Sequence, residues 1–112
     1  MWPETDRREE TRISIELPVR VDGGESFGAT SRDLSAGGMR LEIGRELPIA
    51  RELGIAIELS ERGEELSVRG KVKWCKRVGV KSENRWLVGV MFTDLEDEMR
   101  RRLDSLLEAQ RD

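Results

Sequence analysis

Histidine and tyrosine are absent from this chain of 112 residues, which has a single cysteine, Cys75, and only 4% aromatic residues. Without histidine, the chain lacks the commonest general base and the commonest metal ligand. A lone thiol cannot form a disulfide within the chain, and it has no cysteine or histidine partner for zinc. The sequence also offers no Ser-His-Asp set, no Cys-His pair and no metal cluster. It therefore predicts a protein that is not an enzyme and holds no metal.

Long apolar runs are missing as well. No segment approaches the roughly 18 apolar residues of a membrane span, and we find no signal-peptide pattern. Charged residues make up 38% of the chain, yet the net charge is only −3. The near balance of charge argues against a nucleic acid polymer as partner, because proteins that bind one present a strongly basic face. We expect a cytoplasmic protein of one domain, without membrane insertion.

Alternation of apolar and polar residues predicts strands along most of the chain. Six segments show this period: 13–21, 27–32, 39–43, 53–59, 66–76 and 86–92. Pro18 cannot donate a hydrogen bond to a neighbouring strand, so the first segment is predicted to be an edge strand or to place Pro18 on an unpaired side. Short strands at spacings of about ten residues predict a small barrel or sandwich.

The period changes after Phe92. Leucine and methionine residues then recur at three- and four-residue spacings, which predicts an amphipathic helix over about 94–110. Thr93 or Asp94 suits its N-cap, and acidic-before-basic pairs such as Glu96–Arg100 favour the helix. We expect it to lie against the open end or the side of the barrel.

The first 12 residues are polar and show no repeating apolar face, which predicts a flexible N-terminal arm. Within it, Arg8 and Arg12 lie four residues apart, and Arg7 adjoins the first of them. A guanidinium group donates two parallel hydrogen bonds to a phosphate, or to O6 and N7 of guanine. The alternative interpretation is a solvated arm whose arginines pair with neighbouring glutamates.

A tight glycine-rich connection, DLSAGG at residues 33–38, joins the second and third predicted strands. The Asp33 carboxylate can accept two hydrogen bonds from the N1–H and N2–H edge of guanine, and the Ser35 hydroxyl can both donate and accept. Gly37 and Gly38 allow positive φ and let a ligand ring approach the backbone. The alternative is an ordinary turn between strands. Together with the arginines, this segment favours a guanine nucleotide with phosphates, over which the arm would fold.

The two segments resemble the two signatures of the PilZ family, R-x-x-x-R at residues 8–12 and D/N-x-S-x-x-G at residues 33–38. Segments 17–21, 37–42, 70–74 and 89–95 are similar to the family's sequences in the same order. The resemblance implies a mainly β fold, with a six-stranded antiparallel β-barrel over residues 13–112 that includes a C-terminal α-helix. It also implies a sensor domain that binds cyclic di-GMP without a further cofactor and regulates an unidentified protein effector.

The family's site residues carry over by position. Its first motif clamps phosphates and guanine, and its second motif holds the other face of that guanine. An arginine just before the first motif is associated with an intercalated ligand dimer, so Arg7 implies two ligands per domain. The ligand-binding residues implied here are Arg7, Arg8, Arg12, Asp33, Ser35, Gly37 and Gly38.

Two other functions stay open from the sequence. One is a PilZ-like protein-interaction module that does not bind nucleotide. The other is a small barrel that binds single-stranded nucleic acid, which the net charge and the few aromatic residues disfavour. Trp74 and Trp86 are likewise open to two interpretations, stacking on a base or packing within the barrel. The oligomeric state is open too.

Overall fold

A computed structural model describes residues 12–60, 62–80 and 83–110, with Gln110 described by its backbone alone. The predicted arm, apart from Arg12, lies outside the described residues. Within those ranges the chain forms seven strands and one helix. They are β1 Ile13–Ser14, β2 Pro18–Asp22, β3 Ser26–Leu34, β4 Gly38–Ile43, β5 Glu52–Glu58, β6 Glu65–Val78, β7 Arg85–Asp94 and α1 Asp97–Gln110.

Six of the strands close into an antiparallel barrel. The hydrogen-bonded order is β3, β2, β5, β6, β7 and β4, and β4 pairs again with β3. The short β1 is an extra strand that pairs with the end of β3. Within the described residues, each of these six strands pairs with a neighbour on both sides. The predicted six-stranded antiparallel barrel with a C-terminal helix is confirmed, with β1 as the addition.

The barrel encloses one apolar core. Alternate residues along each strand point inward, as the period of the sequence predicts. The inward positions are at most 4% exposed: Val19, Val21, Leu34, Met39, Leu41, Ile43, Leu53, Ile55, Ile57, Leu66, Val68, Val72, Val88 and Val90. Most of these residues are valine, isoleucine or leucine, so both strand propensity and burial of apolar surface favour the barrel.

The first predicted strand is interrupted. β1 ends at Ser14 and β2 begins at Pro18, with residues 15–17 between them. The hydroxyl of Ser31 spans this break, donating to the Ile15 carbonyl oxygen at 2.6 Å and accepting from the Leu17 N–H at 2.9 Å. β2 lies between β3 and β5, so the first predicted alternative, an edge strand, is wrong, whereas the second, an unpaired side at Pro18, agrees with the register. Pro18 is the first residue of β2, and pairing with β5 begins only at the next residue.

The helix begins at Asp97, three residues later than predicted, because β7 extends to Asp94. Both proposed N-cap residues therefore belong to a strand, and the Glu96 carbonyl oxygen accepts the hydrogen bond from the Arg100 N–H instead. Leu103 and Leu107 join the barrel core at 0% and 5% exposure, and the helix packs against β6. No helix in the described ranges is long and apolar enough to cross a membrane.

Candidate ligand-binding site

A β-bulge in β3 determines the direction of the Asp33 side chain. Strands β3 and β4 pair Ser31 with Leu41 and then Asp33 with Arg40, so Arg32 is an extra residue with no opposite position in the β4 register. Paired residues share a face of the sheet. Ser31 therefore faces the core, whereas Asp33 lies on the outer face of the barrel beside Arg40. Without the extra residue, strict alternation would turn the Asp33 carboxylate into the apolar interior.

Two arginines hold the Asp33 carboxylate on that outer face. Arg12 donates from Nη1 to Oδ1 at 2.6 Å. Arg40 donates from Nε to Oδ2 at 2.5 Å, and its backbone N–H donates to Oδ1 at 3.2 Å. The Asp33 side chain is only 3% exposed, whereas those of Arg12 and Arg40 are 44% and 47% exposed. The buried carboxylate thus holds two part-exposed guanidinium groups at the surface, and guanidinium groups are suited to binding an anion such as phosphate.

Ser35 joins this cluster from the connection between β3 and β4. Its hydroxyl accepts hydrogen bonds from Arg12 Nη2 and from the Gly37 N–H, both at 3.3 Å. The hydroxyl also donates to the Gly38 carbonyl oxygen at 3.2 Å, and the Ser35 N–H donates to the same oxygen at 2.9 Å. Ser35 is fully buried, so its hydroxyl holds the tight connection in shape while Arg12 reaches it from outside.

Gly38 is required by the neighbouring strand. A Cβ added there would lie 2.2 Å from the Val90 carbonyl oxygen, and its φ is not left-handed. The Gly37 carbonyl oxygen accepts a hydrogen bond from the Phe92 N–H at 2.9 Å, which fastens the connection to β7. The positive φ predicted from the sequence therefore does not explain Gly38; the close approach of β4 and β7 does.

The outer face continues from the cluster across two more strands. Gly89 on β7 pairs with Arg40 on one side and with Trp74 on the other. A Cβ on Gly89 would lie 2.3 Å from the Trp74 indole, so the ring rests directly on this glycine, and Trp74 stays 38% exposed. Trp74 therefore packs against β7, and stacking of a base on its exposed part stays an untested alternative.

Trp86 packs on the other face, against the core. It pairs with the inward-facing Ile43 and packs against the core. The Arg77 guanidinium lies 4.6 Å from the centre of its ring.

A second ion cluster lies two residue pairs further from the turn, around Glu42 on the same outer face of β4. Arg85 and Arg32 both pair with Glu42, at 2.5 Å and 3.2 Å. The hydrogen bond from Arg85, followed by the positive charges of Arg85 and Arg32, lowers the pKa of Glu42 from its ordinary value of 4.5, and partial burial opposes this. The ion pairs of Glu42 are thus with Arg85 and Arg32, and not with the arginine beside it on the Asp33 carboxylate, Arg40.

Comparison with known families settles the relationship of the chain. The family model described as the PilZ domain matches residues 6–109. The chain belongs to the PilZ family. A comparison with curated proteins gave no match.

Solved structures show the same PilZ fold at low sequence identity. The PilZ domain of YcgR from Escherichia coli with c-di-GMP is 15% identical, with a TM-score of 0.73, covering 93% of this chain and 91% of that one. The inhibitor of motility MotI/DgrA of Bacillus subtilis is 17% identical, with a TM-score of 0.76, covering 97% and 56%. The MrkH–c-di-GMP complex of K. pneumonia is 21% identical, with a TM-score of 0.73, covering 91% and 51%. The chain thus spans about half the length of MotI and MrkH.

Of the residues that the two PilZ signatures predict, the structure brings Arg12 into direct contact with both Asp33 and Ser35. Gly37 and Gly38 complete the connection beneath them. Arg7 and Arg8 lie outside the described residues. Among the described residues, no group of histidine, cysteine or acidic side chains is arranged to hold a metal ion.

Sequence reasoning missed Arg40, although it contacts both oxygens of Asp33. The register of the hairpin contains the signal. Counting outward from the connection, Leu34 pairs with Met39 and Asp33 with Arg40. If β3 and β4 are both assumed to reach the connection at residues 35–37, this counting places Arg40 directly opposite Asp33.

Proposed function

We propose that this PilZ domain binds cyclic di-GMP at the cluster of Arg12, Asp33 and Ser35, and that binding regulates a protein partner. The observation that carries the proposal is the buried Asp33 carboxylate held by two part-exposed guanidinium groups. The two c-di-GMP-bound PilZ structures of similar fold support the choice of ligand.

The chemistry of the ligand fits this cluster. Guanine offers two donors, N1–H and N2–H, which a carboxylate such as Asp33 accepts. Each phosphate offers the anionic oxygens that an arginine fork binds. We expect Arg8 and Arg12 to supply those forks, with Arg7 holding a second ligand molecule. Gly37 and Gly38 would form the floor beneath the base.

Regulation would follow from ordering of the arm. A ligand shifts a conformational equilibrium only by its differential affinity for the two states. Arginines that reach over the ligand bind only when the arm is docked, so cyclic di-GMP favours the docked arm and the surface that it creates. We infer a cytoplasmic receptor without catalytic activity, whose output passes through an unidentified effector protein.

Isothermal titration of cyclic di-GMP tests the proposal, with GTP as the control ligand. We expect a Kd of about micromolar or tighter, lost in Arg8→Ala and in Arg12→Ala. Arg32→Ala is the matched control, because Arg32 is 46% exposed on the same side of the barrel and pairs with glutamates. A stoichiometry near two supports the role of Arg7. Absence of heat at millimolar ligand, or equal binding by Arg12→Ala and the wild type, contradicts the proposal.

A second candidate function rests on the same cluster. The carboxylate already has partners without ligand, and the described part of the chain contains no buried side-chain polar atom lacking a hydrogen bond. An ion cluster of this kind can simply fasten Arg12 to the barrel in a protein-interaction module that binds no nucleotide. In that case Arg12→Ala lowers the melting temperature of the protein, and adding cyclic di-GMP or GTP to the wild type does not raise it.

A further inference from the structure

The Asp33 carboxylate is partly occupied before any ligand arrives. Its Oδ1 receives hydrogen bonds from Arg12 Nη1 and the Arg40 N–H, and its Oδ2 receives one from Arg40 Nε. Each carboxylate oxygen accepts about two hydrogen bonds. One acceptor position therefore remains, on Oδ2, whereas the edge of guanine presents two donors. Guanine can bind in a bidentate manner only if one of the three existing bonds breaks.

The structure indicates which bond is exchanged. The Arg40 N–H belongs to β4, whose backbone is held between β3 and β7. Arg12 instead precedes β1, outside any strand, and its guanidinium donates to Ser35 as well as to Asp33. The bond from Arg12 to Oδ1 is the one that guanine can replace without disturbing a strand. In the complex, Arg40 is then the cation that remains on a carboxylate that is 3% exposed.

We propose that Arg40 is a positioning residue, which orients the Asp33 carboxylate and compensates its charge when guanine replaces the hydrogen bond from Arg12. Arg40 thereby sets the selectivity of the site for guanine. The inference rests on the proposed function. Among the described residues only Arg40 contacts both oxygens, Oδ1 through its backbone and Oδ2 through Nε, and two such contacts fix the plane of the carboxylate. Lysine provides charge but no Nε donor at that position. A carboxylate that rotates freely no longer presents two acceptors at the spacing of the guanine edge.

The test compares cyclic di-GMP with its hypoxanthine analogue, cyclic di-IMP, which lacks the amino group that donates to Asp33. Kd values for both ligands are measured by titration in the wild type, Arg40→Met, Arg40→Lys and the control Arg32→Met. Arg32 matches Arg40 in exposure, at 46% against 47%, and contacts Glu16 and Glu42 but not Asp33.

We expect the wild type and Arg32→Met to prefer guanine by about tenfold or more, the net contribution of one hydrogen bond to a charged group. In Arg40→Met, both ligands bind more weakly and the ratio of their Kd values falls to within about twofold of unity. Arg40→Lys also lowers the ratio, and it gives the answer if the methionine variant does not fold.

The ratio separates positioning from other effects. A general structural defect, or loss of a direct contact between Arg40 and phosphate, weakens both ligands equally and leaves the ratio unchanged. If the wild type binds cyclic di-GMP but the ratio of the two Kd values is unchanged in the Arg40 variants, this inference alone is overturned. The same holds if Arg40→Lys keeps the wild-type ratio. Absence of cyclic di-GMP binding by the wild type overturns the proposed function and this inference with it.

Discussion

Replacing Ser31 with alanine removes a fully buried hydroxyl that joins β1 to β2 through their common neighbour β3. The hydroxyl donates to the Ile15 carbonyl oxygen at 2.6 Å and accepts from the Leu17 N–H at 2.9 Å. Alanine fits the same space, so the backbone of β3 is not strained by the change. Ser31→Ala therefore deletes two hydrogen bonds and leaves two backbone groups without their side-chain partner.

The magnitude follows from these two bonds. A neutral hydrogen bond contributes about 1 kcal/mol net, and a buried group left without a partner costs about 1–3 kcal/mol. Ile15 and Leu17 are half-buried, so water partly compensates them. We expect the free energy of unfolding to fall by about 2–3 kcal/mol, a large fraction of the roughly 5–15 kcal/mol of a typical domain. At about 4 °C per kcal/mol, the melting temperature falls by roughly 8–12 °C.

Urea unfolding, followed by tryptophan fluorescence and circular dichroism, measures this change. Ser26→Ala is the matched control, because Ser26 is an exposed serine at the start of the same strand and is expected to matter little. Hydrogen exchange gives a local reading. The Ile15 N–H, which donates to the Arg32 carbonyl oxygen, exchanges faster if the junction between β1 and β2 loosens.

The reasoning is refuted if Ser31→Ala is within about 0.5 kcal/mol of Ser26→Ala, the range of neutral surface substitutions. It is also refuted if exchange at Ile15 is unchanged. The result bears on function because Ser14 in β1 pairs directly with Asp33. Loosening the junction removes a neighbour of the carboxylate, so we expect cyclic di-GMP to bind Ser31→Ala more weakly than Ser26→Ala.

Three further predictions concern stability. Glu42→Gln is expected to destabilise the protein at neutral pH. A carboxylate with a lowered pKa stabilises the fold above its ordinary pKa of 4.5, and this contribution is lost as the pH falls through the lowered pKa. In urea unfolding between about pH 2.5 and pH 7, the stability difference between variant and wild type should therefore shrink with acid, and a constant difference contradicts the prediction. Leu103→Ala removes a fully buried leucine and should cost about 2–5 kcal/mol in the same assay. Gly38→Ala places a Cβ 2.2 Å from the Val90 carbonyl oxygen and should lower the melting temperature; an unchanged value would mean that β7 can yield.

The barrel could be predicted from the sequence because its strands are half-buried. Val19 and Val21, or Ile55 and Ile57, face the core while their neighbours face solvent, and this alternation is visible in the sequence itself. The interruptions were not predictable in this way. The break after Ser14 and the bulge at Arg32 depend on hydrogen bonds between distant segments, and a period of two carries no information about them.

The D-x-S-x-x-G motif illustrates why the site was only partly predictable. Ser35 is buried and bonds within its own turn, and Gly38 is required by the close approach of β7, so both residues serve the fold whether or not a ligand binds. Asp33 differs from them, because the bulge turns its carboxylate outward, where it has an acceptor position to spare. The presence of the motif therefore predicts the turn more strongly than it predicts binding. What separates the two is the state of the Asp33 carboxylate, and one of the two arginines that hold it, Arg40, lies outside both motifs.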